Sequence, residues 1–204
     1  MRDGLRQASL LLLIAAIGGC VPEPRAHQVG PLAATPRIGI LPLANYTADR
    51  DASDRMRPML AAELGTRAGI ALVDPGAVEA ALAQEPWLLF DRIPPELLDR
   101  IGQQLGADAL MVGAILGSGY RQDGAEQVPH VSYSLRLLQV PGGRVLWGAV
   151  HSRDGTDGEW LFGFGRVHNL EQLLERSIVE SLKTFPSVGV ADSLPGVSES
   201  GARR

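Results

Sequence analysis

Cys20 is the only cysteine in the chain and the side chain most open to covalent chemistry. A single thiol makes no intramolecular disulfide, and no CxxC pair exists to hold a metal or exchange electrons. Other groupings fall short of a site. Gly117-Ser118-Gly119 lacks the third glycine of a dinucleotide loop because Gln122 stands there, and Gly163-Phe164-Gly165 fails the same test at His168. No GxxxxGK[ST] run is present, which removes a P-loop. His130, His151 and His168 are scattered, without the HExxH or His-x-His spacing that suits zinc. Ser118 and Ser134 stand outside any GxSxG elbow. Asp154, Asp157 and Glu159 cluster among glycines, but the EF-hand position that needs a closing glutamate is Gly165, so a solvated turn is the better reading. These patterns supply no catalytic residue, no metal site, no cofactor and no small-molecule substrate.

The surroundings of Cys20 point to acylation. Arg2 and Arg6, partly offset by Asp3, form a short positive start, and residues 8–17 are apolar except for Ser9. A membrane-spanning helix needs about 20 apolar residues, so this run suits the core of a secretory signal better. It ends in Ile17-Gly18-Gly19-Cys20, and small residues before a sole cysteine resemble a bacterial lipobox. The expectation is a leader over 1–19, cut before Cys20, and lipid (palmitate among it) on the new N-terminus. Several acyl chains, each contributing about 0.8 kcal/mol per buried CH₂, hold a protein stably on a bilayer. Residues 21–36 hold four prolines and no apolar period, as an extended tether does. Val21 follows the cysteine where no aspartate stands, which under the enteric sorting rule directs the protein to the outer membrane.

The remainder reads as one domain over 37–185. The chain of 204 residues is 45% apolar and 21% charged, a globular balance. A formal charge of −4 and 5% aromatics fit a nucleic-acid backbone poorly. Residues 37–43 make a short apolar strand. Met56, Met59, Leu60 and Leu64 recur at helical spacing over 53–67, with Pro58 blurring the start. A strand at 70–73 leads into Asp74-Pro75, an N-cap and first helical residue, and that helix stops by Pro86. Pro95-Glu96 opens another helix with Leu97, Leu98, Ile101 and Leu105 on one stripe and Gly106 as its stop. Residues 109–116 are apolar on both faces, as a central strand is. Residues 131–137 and 145–150 alternate around Pro141-Gly142-Gly143, predicting a hairpin, with His151 at a strand end on the side of Val145 and Trp147. Asn169 with Gln172 resembles a capping box before a long stripe from Leu170 to Phe185. The order is β-α-β-α-α-β-β-β-α: an α/β (α+β) domain, three-layer-like, on a mixed sheet of about five strands. The tail 186–204 has too little apolar content to pack and is expected to be disordered.

Two apolar runs stand apart from this scaffold. Trp87, Leu88, Leu89 and Phe90 lie between two predicted helices, and Trp160, Leu161, Phe162 and Phe164 precede the last one. Folded back, they are a lid over the sheet. Exposed, they are a protein-binding or self-association surface, because contiguous apolar patches mark interfaces.

Several stretches carry a resemblance to the CsgG-like periplasmic lipoproteins, a superfamily that includes the curli secretion channel, the penicillin-binding-protein activator LpoB and the flagellar lipoprotein FlgO. RIGILPLANYTADRDAS resembles their opening strand and loop, LGADALMVGAIL their central helix-to-strand step, VSYSLRLLQVPGGRVLWGAVHSR their hairpin, and LFGFGRVHNLEQLLERSIVESL a closing loop and helix of some members. The likeness spans about 37–185 and implies the same element order, with no catalytic residue to carry over. It departs at the channel. A transmembrane strand needs about 9–11 residues, and the gaps at 119–130 and 153–168 are too short and wrongly patterned for two extra hairpins. The resemblance therefore implies a non-enzymatic outer-membrane lipoprotein facing the periplasm, a scaffold or accessory subunit in envelope or surface-structure assembly. Its partners would be the membrane, through Cys20, and an envelope protein, with homo-oligomer formation open; charge and export disfavour nucleic acid. The alternative is an oligomeric secretion component of the curli-channel kind; an enzyme acting on the envelope stands third.

Overall fold

A computed structural model describes residues 25–28, 32, 35–83, 93–159 and 164–188. Seven strands form one mixed sheet: β1 (Arg25–Gln28), β2 (Arg37–Ile40), β3 (Ala44–Asn45), β4 (Ala71–Leu72), β5 (Ala109–Asp123), β6 (Glu126–Gln139) and β7 (Val145–Asp154). The described helices are α1 (Ala52–Gly65), α2 (Pro75–Leu82), α3 (Pro95–Leu105) and α4 (Leu170–Leu182). The sheet order is β1-β7-β6-β5-β2-β4, with β3 added beside β5 beyond the end of β2. β2 runs parallel to β4 and β5, whereas the neighbouring pairs β5–β6, β6–β7 and β7–β1 are antiparallel.

Two apolar cores sandwich the sheet. Met56, Leu60 and Leu64 of α1 and Leu173, Ile178 and Leu182 of α4 pack on Met111, Ile115, Tyr133, Leu135 and Trp147. On the opposite face, Val78, Leu82, Leu98, Ile101 and Leu105 of α2 and α3 cover Leu110, Val112 and Leu138. The predicted three layers and element order are therefore present. β5 is apolar on both faces because helices lie on both.

Local signals set several boundaries. The Asp74 carboxylate accepts from the Ala77 N–H at 3.0 Å, and Asn169 Oδ1 accepts from Glu171 and Gln172 N–H at 2.8 and 3.2 Å. Gly106 ends α3 with φ of 58°, the left-handed cap that a glycine enters without a Cβ penalty. Pro58 lies inside α1 rather than at its start. It faces solvent, so the helix gives up one hydrogen bond on its outer side while Met56, Leu60 and Leu64 keep the inner side buried.

Three features depart from expectation. The presumed tether contributes β1, whose backbone pairs with the outer edge of β7. Leu32, also in that stretch, is buried and bridges Val188 of the presumed tail, so the described domain extends past 37–185 at both ends. β5 and β6 continue as one hairpin through 119–130, joined by a two-residue turn at Gly124, where the sequence showed only a gap between two strands. With β1 and β3, the described residues form seven strands rather than about five.

The strict alternation expected along β7 also breaks. The β6–β7 register shifts between Leu137 and Leu138, so Val145 packs on the α2–α3 core while both Leu146 and Trp147 enter the α1–α4 core.

Gly155, at the end of β7, marks the tightest approach to the segment leading into α4. Its N–H bonds to the Pro129 carbonyl at 2.8 Å, its own carbonyl accepts from Val167 N–H at 2.7 Å, and a Cβ placed on it would collide with the Val167 oxygen. Gly155→Ala should therefore destabilise the fold by about 1–3 kcal/mol, the usual cost of overpacking. Chemical denaturation measures this, and an unchanged midpoint would contradict the packing described.

Candidate functional site

Among the described residues, the α2–α3 layer covers only one end of its sheet face. The other end carries no described helix, and the long strands bring side chains onto it. Val112, Arg136 and Gly148 are cross-strand partners in one row, and Ala114, Ser134 and Val150 in the next. Leu116 lies two residues beyond Ala114 on β5, at the irregularity between Ile115 and Gly117, where it has no cross-strand partner. β1 adds Arg25 beside Val150 and His27 beside Gly148. Small residues at Ala114, Ser134 and Gly148 make the floor low. The result is an open groove of about 820 Å³ with Tyr46, Leu116, Val150, Arg25, His27 and Arg136 around it.

Tyr46 reaches this face because the loop after β3 is clamped. Its N–H bonds to the Ile115 carbonyl at 2.9 Å. Asn45 Oδ1 accepts from the Thr47 N–H at 3.0 Å and from the Thr47 hydroxyl at 2.8 Å, while Asn45 Nδ2 donates to the Asp49 carbonyl at 2.6 Å. The Asp49 carboxylate then accepts from Ser118 Oγ at 2.8 Å and pairs with Arg55. This network gives the Asn-Tyr-Thr-Ala-Asp segment a physical role: it locks the loop to β5 and α1 and displays the tyrosine ring.

A polar cluster lies on the opposite face, beneath α4. Tyr133 Oη and Ser181 Oγ share a hydrogen bond of 2.8 Å, and burial pushes the phenol pKa well above its usual range. Arg153 pairs with Glu180, and His151 Nε2 stands 3.9 Å from the same carboxylate. His151 is 1% exposed and neither ring nitrogen has a hydrogen-bond partner. Burial lowers its pKa below 6.5; the Glu180 carboxylate opposes that shift, Arg153 adds to it and Asp157 opposes it. The folded state thus prefers the neutral ring. The resulting stability is complete above about pH 6.5 and falls as acid carries the pH toward the lowered folded-state value. His151→Leu should keep the melting temperature at neutral pH and flatten its decline between pH 6.5 and 5. A decline as steep as that of the parent would contradict this assignment.

A third cluster joins the hairpin to β7. Asp154 receives His130 Nδ1 at 2.8 Å and Arg121 at 2.7 Å. A histidine–carboxylate pair is part of a nucleophile-activating triad, but among the described hydrogen bonds no hydroxyl is joined to His130 Nε2. Asp157 accepts from the Asp154 N–H at 2.8 Å, which spends the acidic turn on its own backbone and on neighbouring cations. Among the described residues no group of three His, Cys, Asp or Glu is placed to hold a metal.

Of the residues singled out from sequence, Cys20, Trp87, Leu88, Leu89, Phe90, Trp160, Leu161 and Phe162 lie outside the described residues. Phe164 is described and 63% exposed. The elements flanking 84–92 are α2 and α3, whereas 160–163 leads to α4 on the other face of the sheet. Sequence reasoning missed Tyr46, Leu116 and Val150. The alternation along each strand hinted at a half-covered face, but only the register brings the three together.

This three-layer domain has the fold that the sequence resemblance implied. No protein-family model and no curated protein matches the sequence, but solved structures share the fold. PelC from Paraburkholderia phytofirmans, solved as a dodecamer, superposes with a TM-score of 0.55 at 20% identity over 81% of this chain and 98% of that one. Lipoprotein GNA1162 from Neisseria meningitidis gives 0.54 at 21% identity over 72% and 98%. The LpoB C-terminal domain from Escherichia coli superposes at only 0.44 and 15% identity over 61% and 87%, too loosely to establish a common fold. At such identities the likeness is one of fold, and the curli-channel and flagellar particulars do not follow from it.

Proposed function

We propose that this protein is a lipid-anchored subunit of the bacterial envelope, held by acylated Cys20 at the outer membrane and facing the periplasm, where it acts as a non-enzymatic scaffold or accessory protein. The observation that carries the reading is a lipobox-like sequence at Cys20 placed directly before a domain with the fold of a solved lipoprotein. An anchor of this kind works by mass action, since confinement to a surface raises the effective concentration toward a membrane partner without any new contact. Trp87, Leu88, Leu89 and Phe90, with Trp160, Leu161, Phe162 and Phe164, supply apolar contact area for that partner.

Crosslinking in intact cells tests the reading. The parent should give an adduct with an envelope protein, and Trp87→Ala with Trp160→Ala should weaken it while leaving the melting temperature close to the parent's. Reduced stability with an unchanged adduct would show that these residues are core. A second reading, assembly of identical copies, is favoured by the dodecameric state of PelC. Native mass spectrometry of residues 20–204 carrying Cys20→Ser separates the two: a monomer at high concentration contradicts a ring.

A further inference from the structure

The open sheet face has a chemical character and a position that together name its occupant. Tyr46, Leu116 and Val150 are each more than half exposed, at 56%, 52% and 52%. Arg25 and Arg136 flank them, and among the described residues lining the groove none is acidic, although the chain carries a net charge of −4. An apolar patch with a cationic rim on an acidic protein complements a surface that is itself apolar beneath and anionic above. Tyrosine suits that boundary because its ring is apolar and its hydroxyl polar, and arginine matches phosphate in a bidentate manner.

The position is set by β1. Arg25 is the cross-strand partner of Val150, so the chain enters the sheet at the rim of the groove. Cys20 lies five residues earlier in sequence. Fully extended, that link spans at most about 18 Å. Pro22 and Pro24 favour a slightly shorter polyproline path of about 15 Å. The headgroup layer takes up roughly 5–8 Å of this. A lipid on Cys20 therefore keeps Arg25 and Val150 within about 10 Å of the headgroups, close to the Debye length at physiological salt.

We infer that the open sheet face, with Tyr46, Leu116 and Val150 at its centre and Arg25 and Arg136 at its rim, docks on the anionic surface of the bilayer that holds the anchor. This rests on the acylation of Cys20 proposed above. The docked orientation turns α1 and α4 away from the membrane.

Vesicle co-sedimentation tests the inference on the mature chain, residues 20–204 with Cys20→Ser. The protein should bind vesicles of phosphatidylethanolamine with phosphatidylglycerol, should ignore phosphatidylcholine vesicles, and should be released by salt. Arg25→Ala with Arg136→Ala should weaken binding by about fivefold for each charge removed. Leu116→Glu with Val150→Glu should abolish it, and each variant's melting temperature, measured alongside, should show that it remains folded. No binding by the parent, or equal binding by both double variants, would overturn the inference. So would an assembly of copies that these substitutions break without any vesicle binding, which would make the face a copy-to-copy interface. The protein tested has no acyl chain, so the result reads the face alone. Failure of the anchor itself would appear separately, as absent lipid labelling at Cys20 in cells.

Discussion

Replacing Trp147 by alanine should lower the stability of the domain by about 3–5 kcal/mol, the range for deleting a large buried aromatic. Trp147 is fully buried, its ring meets Phe185 edge-on at 5.1 Å, and its Nε1 donates to Thr184 Oγ1 at 3.2 Å. It sits where the register shift in β7 forces two successive residues, Leu146 and Trp147, into the same core. The indole therefore fills space between the sheet and the end of α4 that alternation alone would leave to one side chain. Against a typical stability of about 5–15 kcal/mol, this is a large fraction. Thermal unfolding should show a fall of roughly 10 °C or more. Trp147→Phe should cost less, because it keeps the apolar contact and loses mainly the hydrogen bond. A Trp147→Ala melting temperature within a few degrees of the parent would mean that the α4 layer does not depend on this contact.

Glu180→Ala should have the next largest effect, about 2–4 kcal/mol. Arg153 is 7% exposed and its ion-pair partner is Glu180. Removing the carboxylate leaves a guanidinium in a nearly dry site, which is the costly way to break a buried pair. The estimate lies below the full range for buried pairs because the Glu180 side chain is 24% exposed and water can reach part of the site. Replacing both residues by leucine should recover most of the loss, since two apolar groups of similar reach carry no desolvation penalty. Urea unfolding of Arg153→Leu, Glu180→Leu and the double leucine variant measures the coupling. Additive losses would show that Arg153 and Glu180 act independently and that the ion pair does not hold α4 to β7.

Where local chemistry decides a structure, it could be read from the residues. Asp74 and Asn169 cap helices through side chains within three positions of the N–H groups they satisfy, and Gly106 ends α3 because one residue must turn left-handed. β5 announces its position by being apolar on both faces. Elements that depend on a distant partner left no such trace. Residues 25–28 have no apolar period, and β1 exists because the edge of β7 offers unpaired N–H and C=O groups. The same holds for the two residues of β3 and for the polar outer half of the β5–β6 hairpin, where backbone pairing substitutes for side-chain pattern.

The candidate site divides in the same way. Cys20 was singled out on its immediate sequence neighbours alone. His151 could be assigned to the face of Trp147 by counting along β7, but its neighbour Glu180 lies on another element. Tyr46, Leu116 and Val150 come from three separated segments and become one surface only through the register of β3, β5, β6 and β7.

The most direct test of the account is metabolic labelling with an alkyne fatty acid, followed by membrane fractionation, of the parent and Cys20→Ser. The parent should carry the label and sediment with outer-membrane markers. Cys20→Ser should lose the label and leave that fraction, and globomycin should make an unprocessed form of the parent accumulate. An unlabelled parent, or a serine variant that fractionates as the parent does, would contradict the claim that this domain works from the end of a lipid anchor.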